Sequence, residues 1–201
     1  MRIYFDLETN GLLKDVSKVW CIATVNIDNP EDTRLWVEDE IDTCLEYLYQ
    51  ADELSGHNII GYDLKVLLKL YNWGPRPSCN LIDTVVLARL KHANVKDTDV
   101  ALLGKGMPNE LYGRHTLRAW GWRLGEHKGD YSGGWLEYSQ EMGDYCLQDT
   151  KTGVKLYHHL VDEGYPKGPF SLSPELPTSA SASPKPDGTS TSVAPVSSTV
   201  N

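Results

Sequence analysis

The apolar positions of this chain fall into short extended runs near the N-terminus and into helically spaced sets after them. Arg2 to Phe5 reads as a first strand that runs into Asp6 and Glu8. Asn10-Gly11 marks a turn, read as a hairpin connection to the next segment. Val19 to Ile27 is rich in β-branched and aromatic residues and reads as a second strand, with Thr33 to Val37 as a third after the Asn29-Pro30 turn. From Glu40 to Gln50 the residues Ile41, Cys44, Leu45 and Leu48 recur at helical spacing. Leu54 to Asn58 is a short strand, and Tyr62 to Tyr71 an apolar helix. Leu81 and Ile82 lead into Asp83-Thr84, a strand end followed by a helix cap. Thr116 caps a helix over LRAWGWRL. Ser139 caps a long final helix that ends near Gly164-Tyr165-Pro166. Strands followed by alternating helices predict an α/β fold with a mixed central sheet flanked by helices.

From Ser171 the composition changes to Ser, Thr and Pro with almost no large apolar side chains. Such a segment buries too little surface to offset its ordering entropy. The expected organisation is one domain over 1–168 and a disordered tail over 169–201. At 201 residues the chain is long enough for one sizeable core, and 40% hydrophobic and 23% charged residues are ordinary for a soluble domain. No apolar run approaches the ~20 residues that span a bilayer, and the N-terminus lacks the form of a signal peptide. Cys21, Cys44, Cys79 and Cys146 are scattered and read as reduced thiols of a cytoplasmic protein, without a zinc site or disulfides. Gly104 and Gly106 fail the phosphate-loop spacing, so nucleoside triphosphate binding is rejected.

The net charge of −9 argues against strong attraction to duplex DNA. Its distribution qualifies that. Residues 64–128 carry 11 Lys+Arg against 5 Asp+Glu, whereas residues 1–63 carry 4 against 14 and residues 129–201 carry 4 against 9. A basic middle third between acidic flanks fits a protein that needs only a single-stranded terminus, or one delivered by a partner.

Acidic residues in three separate segments carry the chemistry. Asp6 and Glu8 stand two apart, so a strand points both to one face. Tyr145 and Asp149 stand four apart, so a helix does the same. Asp63 ends HNIIGYD between them. Clustered carboxylates repel unless a cation lies among them. Their hard oxygens suit two Mg²⁺ (or Mn²⁺), the arrangement that clamps a phosphodiester for hydrolysis. A tyrosine hydroxyl one turn from Asp149 is placed to orient an attacking water.

The segments DLETNG, HNIIGYD and YCLQD resemble the three motifs of the DEDDy 3′–5′ exonucleases in the DnaQ-like superfamily, the third in its tyrosine form. NLIDTVVLARLKHANVKDTD and GRHTLRAWGWRLGEHKGDY look similar to the proofreading domain of family A DNA polymerases of T-seven-type bacteriophages. The resemblance covers roughly the first 165 residues. It implies a ribonuclease-H-like fold and metal-dependent release of nucleoside 5′-monophosphates from single-stranded or frayed DNA 3′ ends. It also implies that Asp6 bridges both metals, Glu8 and Asp149 complete the metal that activates water, and Asp63 holds the other. Tyr145 then positions the water. By the same resemblance Leu12 wedges against the terminal base, and Thr9, His57 and Asn58 touch the strand. The phage polymerases continue into further domains after the third motif, which leads to the expectation of proofreading for a separately encoded polymerase, or of independent action. The stretch Tyr131 to Ser139 looks compressed relative to the phage enzymes. A 3′–5′ exoribonuclease and a docking subunit of a split replisome remain alternatives, with a DNA polymerase or other replisome proteins as partners.

Each residue also has an ordinary structural role. Asp63 can cap the helix that follows it. Leu12 can be a core leucine, His57 a buried and satisfied histidine, and Asn58 a turn residue. Tyr145 can be a core aromatic, and Asp149 an exposed helical acid. Trp120 and Trp122 read as core rather than as stacking platforms. Arg114, His115 and Thr116 open the phage-like segment and are candidates to touch the strand or a polymerase.

Overall fold

Five strands form one sheet. The computed structural model describes residues 1–126 and 131–161. The strands are β1 (Arg2–Thr9), β2 (Val19–Asn26), β3 (Thr33–Val37), β4 (Glu53–Gly56) and β5 (Asn80–Asp83), in the order β3-β2-β1-β4-β5. Pairing is antiparallel from β1 through β2 to β3, and parallel from β1 through β4 to β5, so the sheet is mixed as the pattern predicts. β1 extends past Phe5, because Asp6 pairs with Ala23 and Glu8 with Cys21 in the ladder before a shift in register at Thr9. The two candidate acids therefore sit within a strand. The Asn10-Gly11 turn belongs to a connection spanning 10–18, closed by the Asn10 amide donating to the Lys18 carbonyl at 3.2 Å.

β1 sorts its side chains by parity. Ile3, Phe5 and Leu7 join Leu45 and Leu48 of α1 (Ile41–Tyr49) and Val66 and Leu67 of α2 (Asp63–Tyr71) in the larger core. Tyr4 faces the other way, packed with Tyr157 and Val154 of α6 (Gln140–Val161). Asp6 and Glu8 share the parity of Tyr4, so the alternation that buries one face of β1 delivers both acids to the α6 side. α6 lies close on that face because residue 153 is glycine: a Cβ there would collide with the Tyr4 ring and hydroxyl.

α3 (Thr84–Lys91) and α5 (Leu117–Leu124) pack behind α6 around Trp120, which is core as expected. Both expected caps form, with the Asp83 carboxylate accepting from the Val85 amide and the Thr116 hydroxyl from the Ala119 amide. The Ser139 hydroxyl likewise accepts from the Met142 amide at 3.1 Å at the start of α6. α6 is described to Val161, so its expected end near residue 164, and the expected tail over 169–201, lie outside the described residues. One helix, α4 (Val95–Leu103), does not announce itself in the sequence. Only Val95 and Asp99 on it are buried, too few to mark a helical stripe. Asp99 pairs with Arg123 of α5 through two 2.8 Å hydrogen bonds, both groups being almost fully buried. Burial alone would raise the Asp99 carboxyl, but the Arg123 fork and the Gly113 amide outweigh it and hold the group below its ordinary range.

Candidate active site

The acids meet at one end of β1. Asp6 and Glu8 are half-buried, and their carboxylates lie with the Cys146 thiol of α6 in a group whose ligand atoms are all within 4.8 Å of one another. The Cys146 thiol is 3.5 Å from the Asp6 carbonyl oxygen and 3.8 Å from its carboxylate. Burial, with Cys21, Asp6 and Glu8 close by, pushes that thiol well above its ordinary range. Cys146 lies within the third motif, so this segment of α6 packs against the strand that carries Asp6 and Glu8. Asp149, 8% exposed, is one turn further on. The Tyr145 ring stands 5.7 Å from that of Tyr131.

Asp63 reaches the same region from α2. Its carboxyl is 4% exposed and is pushed up to about 7, chiefly by burial and further by Asp83, against the lowering effect of its own amide and the Leu7 amide. β1 pairs with β4 only from Arg2 to Tyr4, so Leu7 lies past the end of that ladder and Asp63 takes up its amide. Asp63 is the first helical residue and Tyr62 the N-cap, so the expected capping role does not describe it. The fully buried Tyr4 phenol links the acids electrostatically. Burial raises it well above its ordinary range, and Asp6, Asp149 and Asp63 all add to the rise. The carboxylates of Asp63 and Asp149 lie outside the 4.8 Å group of Asp6, Glu8 and Cys146. Asp6, Asp149 and Asp63 thus share Tyr4 as a neighbour, while only Asp6 and Glu8 belong to the tight group with Cys146.

Asp83 organises the loop that presents Asp63. Its Oδ1 accepts from the Asn58 amide and its Oδ2 from the Ile60 amide, at 3.0 and 3.1 Å, in addition to capping α3. Asn58 sits at a positive φ of 68° with its side chain exposed. Residue 61 has to be glycine there, since a Cβ would strike the Asn58 side chain. Both ring nitrogens of His57 are engaged, one with the Thr84 hydroxyl at 2.9 Å and one with the His115 carbonyl at 2.8 Å. His57 therefore ties the end of β4 to α3 and to the 113–116 segment. The Thr9 hydroxyl donates to the Gly11 carbonyl at 2.9 Å and lies 2.5 Å from the Tyr62 hydroxyl, which fixes the strand exit. Leu12 just beyond is 78% exposed, so it is not a core leucine.

The donor set fits divalent cations. Asp6 and Glu8 offer hard oxygens at shared-ligand separation, and buried Asp63 has a carboxyl whose ionisation needs positive charge nearby. Two further residues shape the site. Cys146 lies inside YCLQD but reads as a scattered thiol, and Asp83 reads as a strand end and helix cap, with nothing local to mark its bonds to the 58–60 loop.

The architecture is the ribonuclease-H-like α/β fold of exonucleases. Its likenesses among solved structures include the Brucella melitensis protein NrnC with bound Mg²⁺ (TM-score 0.52, 17% identity, 79% of this chain and 71% of that one). NrnC bound to pGG is similar at TM-score 0.53 and 16% identity, covering 81% of this chain and 74% of that one. In sequence the chain is 32% identical over 189 residues to the DNA-directed DNA polymerase of Escherichia phage T7, and 33% identical over 187 residues to that of Enterobacteria phage T3. These matches cover 80% and 79% of this chain but only 27% and 26% of the polymerases, so it spans about a quarter of the length of those relatives. No protein-family model matches the chain.

Proposed function

We propose that the chain is a metal-dependent 3′–5′ DNA exonuclease of the DEDDy type. It removes nucleoside 5′-monophosphates from single-stranded or frayed ends, as the proofreading partner of a phage-type polymerase. The observation that carries this is the meeting of β1 and α6. Asp6 and Glu8 share a metal-sized cluster with a residue of α6 that directly follows Tyr145. Similarity to phage DNA polymerases supports DNA as the substrate.

Asp6, Glu8, Asp63 and Asp149 would hold two Mg²⁺ or Mn²⁺, which supply Lewis-acid stabilisation of the phosphoryl oxygens and acidify a bound water. The protein's own groups do the rest. The Tyr145 hydroxyl orients the attacking water along the line of the scissile bond. Asp63, presented by the Asp83-braced loop, would be held in its ionised form beside the bound cations. Leu12, exposed at the end of the Thr9–Gly11 turn, separates the terminal base from its neighbour.

The test is a 3′-mismatched primer–template and matched DNA and RNA strands, each incubated with Mg²⁺ and with EDTA. Mononucleotide release from the DNA 3′ end, faster at the mismatch and lost in EDTA, is the expected result. Preference for RNA would replace the DNA reading with an exoribonuclease, and 5′ release would refute the polarity.

A further inference from the structure

We infer that Trp135 is a stacking platform for an unpaired nucleobase of the strand whose end lies at the acidic cluster. The inference rests on the nuclease reading above. It arises from the 131–139 segment that leads into α6. The Tyr131 hydroxyl donates to the Gly134 carbonyl at 2.8 Å and lies 3.3 Å from the Ser139 hydroxyl that caps α6. The Trp20 indole N–H of β2 donates to the Trp135 carbonyl at 3.0 Å. These bonds hold the loop through Tyr131 and the backbone of Trp135, and leave the Trp135 side chain 42% exposed beside Leu136 at 91%.

The exposed indole continues the site. Trp135 meets Tyr131 edge-on at 4.9 Å between ring centroids, and Tyr131 is 5.7 Å from Tyr145. Three rings thus run outward from the residue proposed to position water. The loop packs on the same small core as the first half of α6, formed by Trp20, Cys21, Met142 and Cys146, so the platform is fixed relative to the acids. Lys18 stacks its ammonium 4.4 Å from the centre of the Trp20 ring and pairs with Glu38 at 3.4 Å, which braces the β2 side of this rim. Stacking accepts any base, because every base has a π-face. That suits an enzyme that must take whichever base arrives. Docking of a protein on this patch is the competing occupant; the path of rings to Tyr145 favours a base.

The experiment uses the full chain carrying Asp6→Ala, so that labelled strands stay intact. Fluorescence anisotropy measures the binding of a single-stranded DNA oligonucleotide and of one with abasic 3′ positions. Replacing Trp135 with Ala should weaken binding of the first by about 5- to 150-fold, the range expected for loss of one stacked base. Trp135→Phe should retain most of the affinity and melt at the same temperature. The abasic strand should bind the Trp and Ala forms alike. Equal affinity of the Trp and Ala forms for the base-bearing strand would overturn the inference, as would an equal loss on the abasic strand. Separately, unsubstituted protein that releases no mononucleotides would sink the nuclease reading, while a Trp135-dependent affinity would still stand.

Discussion

Asp63→Asn should stabilise the metal-free protein at pH 8 while destroying its metal response. The Asp63 carboxyl is 4% exposed and titrates at about 7 instead of 3.8. Because its folded pKa is raised, the folded chain keeps a proton that the unfolded chain has released. Stability from this group is therefore intact below the unfolded value and declines as pH rises through the folded one. The displacement is roughly 3 pH units, worth ~4 kcal/mol of lost stability above pH 7. Asparagine keeps the volume and removes the charge. Its amide must, however, face one of the two backbone donors now meeting the carboxylate, which returns about 1–2 kcal/mol. The net gain is then roughly 2–3 kcal/mol, or about 5–10 °C in Tm for a domain of this size. Calorimetry in EDTA at pH 8 should show that rise, and most of it should disappear by pH 5. Adding Mg²⁺ at pH 8 should raise the melting temperature of the parent protein and leave the variant unmoved. An Asn variant that melts no higher than the parent at pH 8, with a gap independent of pH, would refute the buried-charge argument.

Further outcomes follow from the same geometry. Tyr145→Phe should slow cleavage by about 10²-fold, a usual cost for losing a positioned proton-handling group, while strand binding changes little; equal losses in both would contradict water positioning. Asp6→Ala should abolish mononucleotide release and leave the circular dichroism spectrum unchanged, and a fully active variant would remove the mechanism. EDTA should stop hydrolysis, with Mg²⁺ or Mn²⁺ restoring it and Ca²⁺ supporting binding alone. Arg123→Ala strands the buried Asp99 carboxylate and should cost about 3–5 kcal/mol in urea unfolding, since a broken buried pair leaves an uncompensated charge.

Much of the fold was legible because short-range physics decided it. The strand runs of β1 to β3, the Asp83, Thr116 and Ser139 caps, and the helical spacing of Ile41, Cys44, Leu45 and Leu48 all read directly from local pattern. Asp6 and Glu8, and Tyr145 and Asp149, were legible as pairs because strand and helix periods put each on one face. Their meeting was not, since it depends on how α6 crosses β1. α4 escaped because its stability comes from a buried ion pair with α5 and not from an apolar stripe. Asp63 looked like a cap, but the end of the β4 ladder turns it toward the Leu7 amide instead. His57 was equally ambiguous alone, and its bonds to Thr84 and His115 come from parts of the chain distant in sequence. Trp135 had no signal at all, because its exposure is set by a backbone bond to an indole on β2.

Gly153 holds no charge, yet it sets how closely α6 approaches β1. It lies one helical turn beyond Asp149 and lets the rod bearing Tyr145 and Asp149 settle onto Tyr4. Anything bulkier would lift that rod and carry both groups away from Asp6 and Glu8 by a shared increment. Reactive centres lose about 10²-fold for a misplacement near 1 Å, so the proposed activity would be tuned, by drift or by design, through a hydrogen atom on a mute residue.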